Sequence, residues 1–517
     1  RGTAWKQKTC LELQRLIQNI HMKKICTIAL LCSATFGFAQ KKNLTDNQML
    51  KGERIPNLIQ SLPQVLGWLD DEQVLISKRE NGDTAISYVL INAKTGKQNP
   101  SSRNALQKEV GETVAVQSRN NDLFLIINGK EEKQLTKTVE PEINPTLSPD
   151  KKWVAFTRKN DLYTVELSSG KEFRLTKDGS DLILNGYASW VYYEEILGRP
   201  SRYKSYWWSP DSKSICFMRM DDTNIPLFPI VGETGQHGYV ENTRYPKSGD
   251  NNPTVKVGIT AADGSSMVWA DFNEKNDQYF GLPYWKPDAT SVLVQWMNRG
   301  QDTLIIYAVD PSNGSKKEFY KEVQKTWVEL DDMGSRIDFL PAGKGLIIKS
   351  DKDGWEQLYL HNVDGSLKNQ ITSGNNWSTN IQWIDTVKNV IYFTSRQQQS
   401  TRSDLFRVDF DGKNQTRLTF GEFTHSVELS PKGSYFTTRY SNAETPDRLA
   451  LVSNKGKIIA ELGNTMGSAF NEYALAKTEI IRIPSEDGLF QLPIRITWPL
   501  NFDPTKKYPV MINIYGG

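Results

Sequence analysis

Between residues 62 and 465, apolar and polar positions alternate in short runs with the period of a β-strand, and each run is bounded by turn chemistry. One unit is legible in full. It opens on Leu147-Ser148-Pro149-Asp150, runs through Trp153-Val154-Ala155-Phe156, turns, continues as Asp161-Leu162-Tyr163-Thr164-Val165, turns again at a glycine, and closes on Phe173-Arg174-Leu175-Thr176. The opening recurs at Trp208-Ser209-Pro210-Asp211, Trp285-Lys286-Pro287-Asp288, Leu340-Pro341-Ala342-Gly343 and Leu429-Ser430-Pro431-Lys432-Gly433. The closing strand recurs at Gln370-Ile371-Thr372 and Arg417-Leu418-Thr419, and weaker units begin near Gly67 and Gly111. Units of about 40–60 residues, each able to form one four-stranded antiparallel sheet, are blades of a propeller. A blade can bury its faces only against its neighbours, so the ring must close. The pattern predicts a mainly β fold, an about eight-bladed β-propeller over residues 62–465.

After Gly463 the repeat stops. Two strands are expected over 477–483 and 492–498, around the turn Pro484-Ser485-Glu486-Asp487-Gly488. The run Val510-Met511-Ile512-Asn513-Ile514-Tyr515 is apolar without alternation, the profile of a strand buried on both faces. Residues 466–517 therefore read as the first strands of an α/β domain that continues past Gly517. At the other end, Met22-Lys23-Lys24, the apolar run 25–38 and the small residues Gly37 and Ala39 describe a secretory signal peptide over 22–39. The run is short for a bilayer span. Residues 1–21 read as upstream translation without a structural role, and 40–61 as an N-terminal segment. Export to the periplasm, the medium or the cell surface is the expectation.

Composition narrows the chemistry. A net charge of +3 on 517 residues, with no dense basic stripe, argues against a nucleic-acid partner. Cleavage after Ala39 would leave Cys216 as the lone cysteine, so no internal disulfide and no cysteine metal site is expected. His237, His361 and His425 are scattered, and no cofactor is expected.

The stretch that stands out is Trp190-Val191-Tyr192-Tyr193-Glu194-Glu195-Ile196-Leu197, two adjacent carboxylates in an aromatic and aliphatic setting. Like charges packed against apolar groups raise each other's pKa unless a cation arrives to share. On an ordinary surface helix the same pair would simply be solvated. The segment reads as an insertion just before the blade that opens at Trp208, and that blade carries a second insertion through Gly232-Glu233-Thr234-Gly235.

These residues, with Trp207-Trp208-Ser209-Pro210, Asp222-Thr223, Pro226-Leu227, Tyr245-Pro246-Lys247-Ser248-Gly249 and Asn252-Pro253-Thr254-Val255-Lys256, resemble the dipeptidyl peptidase IV branch of the prolyl oligopeptidase family. The tail from Lys507-Tyr508-Pro509 to Tyr515-Gly516-Gly517 is similar to the start of that family's α/β-hydrolase domain. The resemblance implies a serine exopeptidase that removes Xaa-Pro or Xaa-Ala dipeptides from peptides with a free N-terminus. It implies that Glu194 and Glu195 hold the substrate α-amine, and that the Tyr515 hydroxyl stabilises the oxyanion. A protonated amine offers three donors, which two carboxylates can share. On a regular helix adjacent side chains point about 100° apart, so both reach one amine only at a helix end or an irregular turn. The family's carbonyl-binding arginine has Arg119 as its nearest candidate. No Gly-x-Ser-x-Gly elbow occurs, so the catalytic triad is expected beyond Gly517. Tyr193 stands where many relatives carry a third acidic residue. The alternatives are a prolyl tripeptidyl peptidase and a non-catalytic, peptide-binding propeller. The resemblance admits a homodimer without requiring one, and no membrane span is expected.

Overall fold

The computed structural model describes residues 41–79, 85–106, 113–331 and 336–514. The predicted signal peptide and Tyr515 lie outside the described residues.

Eight antiparallel sheets follow one another along the described chain, over residues 64–101, 114–134, 143–174, 183–269, 278–323, 337–370, 379–417 and 424–464. We number them blades 1 to 8. Blade 2 has three strands, blades 4 and 5 have five, and the others have four. Seven apolar cores each straddle two consecutive blades, the last joining Leu449, Leu451 and Leu462 of blade 8 to Val74, Ile76 and Ile91 of blade 1. This is the expected β-propeller, with its core between blades rather than within them.

The repeated residues have mechanical reasons. In blade 3 the Thr176 hydroxyl accepts a hydrogen bond from the Leu162 backbone N–H at 2.9 Å and donates one to Asp161 at 2.7 Å. Thr372 does the same between Leu358 and Gln357, and Thr419 between Leu405 and Asp404. The "Leu-Thr" ending therefore stitches the third strand of a blade to its fourth. At the Ser-Pro-Asp turns the serine donates to the aspartate two residues on, Ser148 to Asp150 at 2.7 Å and Ser209 to Asp211 at 2.6 Å.

Blade 8 has Lys432 where the turn aspartate should stand. Asp71 of blade 1 fills the role from outside, accepting from the Ser430 hydroxyl at 2.6 Å and the Lys432 backbone N–H at 2.8 Å. Burial works against the Asp71 charge, but the Ser430, Ser434 and Lys432 hydrogen bonds outweigh it and hold the carboxyl below its usual range. First and last blades share no strand; this contact and the apolar core between them close the ring, together with backbone hydrogen bonds between the residues flanking the two blades, from the Gln60 N–H to the Thr465 carbonyl and from the Gly467 N–H to the Leu58 carbonyl, both at 3.0 Å.

In the blades with four or five strands, antiparallel order puts the first-to-second turns on one face of the ring and the second-to-third turns, with the interblade linkers, on the other. In the three-stranded blade 2 the first-to-second turn lies on the second face, beside the linker into blade 3, where the Glu142 N–H donates to the Asn121 carbonyl at 3.1 Å. The chain after blade 8 forms a hairpin, Thr478–Pro484 against Gln491–Thr497. It docks on the second face, where Arg482 donates to the hydroxyls of Ser400 and Thr401 in the second-to-third turn of blade 7. Of the strand expected over 510–515, the described part, residues 510–514, is not formed. Residues 510–514 are unpaired, with Met511 95% exposed, because a doubly buried strand needs neighbours on both sides and none are present among the described residues. No helix among the described residues is long and apolar enough to cross a membrane.

Candidate functional site

The Glu194-Glu195 segment lies within blade 4 rather than before it. Ile183–Asn185 and Tyr206–Trp208 pair in one continuous register with the same strand, Ser214–Asp221. The chain leaves at Gly186, whose N–H donates to the Met218 carbonyl at 2.9 Å, and returns at Ser205, whose carbonyl accepts from the Met218 N–H at 2.9 Å. Twenty residues are thus looped out of a single strand at one register position, over 186–205. Gly186 makes the exit feasible. Its φ is +68°, and a Cβ there would stand 3.1 Å from Leu162 Cδ1 and 3.3 Å from the Tyr206 ring.

Inside the loop, residues 190–191 are helical and Tyr192–Ile196 forms one π turn, closed by the Leu197 N–H on the Tyr192 carbonyl at 2.7 Å. Such wide turns occur mostly as single insertions at functional positions. This is the irregular geometry that two adjacent side chains need to approach one group. Tyr192 is fully buried, and its hydroxyl accepts from the Phe280 N–H of blade 5 at 3.2 Å. Burial pushes its phenol pKa up, so the anchor stays protonated. Ile196 and Leu197 enter the core between blades 4 and 5.

Three tyrosines clamp the loop. Tyr203 stacks on Tyr193 at 3.8 Å between ring centroids and on Tyr187 at 5.0 Å, so the outgoing limb, the turn and the returning limb are layered. Arg202 and Tyr203 both adopt positive φ, +50° and +66°, a conformation that costs non-glycine residues energy and persists only when the surroundings enforce it. Trp190 packs on Tyr245 at 4.6 Å, joining the loop to the second insertion. That insertion forms its own hairpin, Leu227–Gly232 against Tyr239–Arg244.

The two carboxylates have different surroundings. The Glu194 side chain is only 14% exposed, and the Arg199 Nε–H bridges its oxygens at 2.7 and 2.8 Å while Nη2 donates as well. Glu195 is exposed, has no ion-pair partner among the described residues, and lines a cleft of about 560 Å³. Lys247, Asn252, Tyr279, Arg299, Trp327 and Glu329 also line it. The Tyr279 hydroxyl accepts from Asn252 Nδ2 at 2.9 Å and from Arg299. The cleft belongs to the second face, since it is built from the second-to-third insertion of blade 4, the corresponding turn of blade 5 and the linker after blade 5.

The structure brings Glu194 and Glu195 together and keeps Arg119 out of their hydrogen-bonding. Arg119 ends the first strand of blade 2, paired with Glu131 at 2.7 Å and lying 4.1 Å above the Phe124 ring. Reasoning from sequence overlooked Arg199 and the tyrosine stack. Arg199, five residues after Glu194, was the available signal.

The sequence model of the family described as "Dipeptidyl peptidase IV (DPP IV) N-terminal region" matches residues 68–447. The chain is similar to a probable dipeptidyl peptidase 4 of Trichophyton verrucosum, 30% identical over 388 residues, covering 72% of this chain and 50% of the relative. It is also similar to a dipeptidyl peptidase 4 of Arthroderma otae, 31% identical over 384 residues, covering 70% and 48%. The chain spans about half the length of these curated relatives. Among solved structures, the crystal structure of Porphyromonas gingivalis dipeptidyl peptidase 4 superposes with a TM-score of 0.66 over 90% of this chain and 69% of that one, at 23% identity. This last likeness speaks for the fold alone. A match across both insertions and seven of the eight blades in full or in large part, on a ring whose first-strand insertion presents paired glutamates, places this chain in the dipeptidyl peptidase IV N-terminal region family.

Proposed function

We propose that this chain is the substrate-selecting part of an exported serine exopeptidase that releases Xaa-Pro and Xaa-Ala dipeptides, with Glu194 and Glu195 holding the α-amine of the substrate. The observation that carries the reading is the pair's placement on a π turn, with one carboxylate shielded and fixed and the other open to a cleft. An ammonium bridging the two would pair the Glu195 carboxylate, which a blocked or internal peptide would leave without a partner, and would share Glu194 with Arg199. The pair would thereby count residues from the N-terminus. Residues 466–517 are read as the start of the peptidase domain, whose hairpin docks on the same face of the ring as the cleft. Tyr515 is assigned to the oxyanion, and the triad to sequence beyond Gly517. Residues 22–39 are read as the export signal.

The test uses the full-length enzyme. Glu194→Gln with Glu195→Gln is expected to lower kcat/KM on a Gly-Pro chromogenic substrate by at least about 100-fold, since each charged hydrogen bond contributes about 1.5–3 kcal/mol. Undiminished kcat/KM in that double variant would refute the amine clamp. Equal turnover of Xaa-Pro and Xaa-Xaa-Pro substrates would refute dipeptide release.

A further inference from the structure

Arg199 brings a third charge to the glutamate pair. It opens the short turn Arg199–Ser201, directly after Gly198, whose φ of +74° favours glycine. Its Nε–H donates to both oxygens of Glu194 at 2.7 and 2.8 Å, and Nη2 donates as well. The hydrogen bond and charge of Glu194 hold the Arg199 pKa above its usual value, and the Glu195 charge adds to the effect. The guanidinium is therefore within electrostatic reach of both carboxylates, although it bonds to only one.

Taken together, Glu194, Glu195 and Arg199 carry one net negative charge. The other charged groups of the cleft offset one another. Lys247 and Glu329 are exposed and opposite in sign, and Arg299 lies 3.6 Å from Asp277. An α-ammonium carries one positive charge, so the clamp with an amine bound is electrically balanced. Two glutamates without the arginine would keep a surplus negative charge, and a surplus of one sign in a cleft attracts a further cation. In a peptide, the nearest source of that cation is the side chain of the first residue, which branches from the carbon bearing the amine. The four-carbon stem of an N-terminal lysine keeps its ammonium within about 8 Å of the clamp, roughly a Debye length at physiological salt.

We propose that Arg199 sets the clamp at one net negative charge, matching it to peptides whose first residue brings no second cation. The inference rests on the amine-clamp reading above. Arg199 then determines specificity through charge, as well as holding Glu194 in place.

The test compares kcat/KM at low salt for two chromogenic substrates of nearly equal shape, lysyl-prolyl and norleucyl-prolyl anilides, on the full-length enzyme. Variants are Arg199→Gln, Arg199→Met and Arg199→Lys, with thermal melts to check folding. The parent should favour the norleucyl substrate. In both neutral variants the lysyl-to-norleucyl ratio should rise about fivefold, the effect of one unit charge at several ångströms in a partly aqueous setting. Arg199→Lys, which keeps the charge without the fork, should stay within about twofold of the parent ratio. Glu194→Gln added to Arg199→Gln restores one net negative charge and should bring the ratio back toward the parent value, whatever activity is lost overall. A brace without an electrostatic role would weaken both substrates alike. A parent that prefers the lysyl substrate, an unchanged ratio in the neutral variants, or a raised ratio that Glu194→Gln leaves raised overturns the proposal. Undiminished kcat/KM in Glu194→Gln with Glu195→Gln would instead refute the underlying clamp. A large loss there, with the ratio unmoved in Arg199→Gln and Arg199→Met, would leave the clamp standing and sink this inference alone.

Discussion

A buried carboxylate with one oxygen left without a hydrogen bond works against the fold near the site. Asp222, at the end of the strand that carries the insertion register, is 3% exposed, and its Oδ1 has no hydrogen-bond partner among the described residues. Burial raises its pKa to about 7, with the Arg244 charge pulling it down and Asp221 pushing it up. Because the folded value lies above the unfolded one, Asp222 contributes stability that is fully present below about pH 4 and is lost as pH rises through about 7. Asp222→Asn removes the titration and keeps the shape. The unfolding free energy of the variant relative to the parent should be more favourable at pH 8 than at pH 5, by an amount on the order of a few kcal/mol, read from denaturant unfolding at the two pH values. An identical difference at both pH values would show that the carboxylate is not titrating in the fold.

At the scale of elements, the recurrent threonine is the part of the blade that ties strand to strand. Thr176 is 5% exposed and serves two buried groups at once, the Leu162 N–H and the Asp161 carboxylate. Thr176→Val preserves volume while leaving each of them one hydrogen bond short, and should cost about 1–3 kcal/mol in denaturant unfolding. A variant as stable as the parent would mean that water takes over the role. The same logic explains why the first strand of blade 4 tolerates so long an insertion. Its register with Ser214–Asp221 is set on both sides of the gap, so the loop hangs from a closed ladder rather than interrupting an open one.

The whole ring depends on a seam without a shared strand. Blades 3 and 4 hold their turns with their own aspartates, but the turn of blade 8 is completed by Asp71 from blade 1, so one carboxylate both satisfies a turn and joins the ends of the propeller. Asp71→Ala should lower stability by about 1–3 kcal/mol. Lys432→Asp in that background rebuilds the turn from within and should recover the turn's share of the loss, leaving the share due to the seam. Failure of Lys432→Asp to recover any stability would show that Asp71 acts through something other than the turn.

Periodicity alone was enough for the blades, because alternation and turn residues report local backbone preference and each blade is a local meander. It was also enough for Glu194 and Glu195, since two acids among aromatics are conspicuous in one dimension. Three things depended on distances that no spacing encodes. The loop's exit and return at Met218 require two strand halves to be seen against a third strand. Arg199 is one charged residue among many until its guanidinium is found on a sheltered carboxylate. Residues 510–514 have the composition of a buried strand, yet a strand exists only where neighbours supply its hydrogen bonds, and composition carries no information about neighbours. The sequence by itself determined the repeating architecture and the acidic pair; the tertiary structure decided which carboxylate is held, which is open, and what joins the ends of the ring, because those are contacts between segments that folding alone brings together.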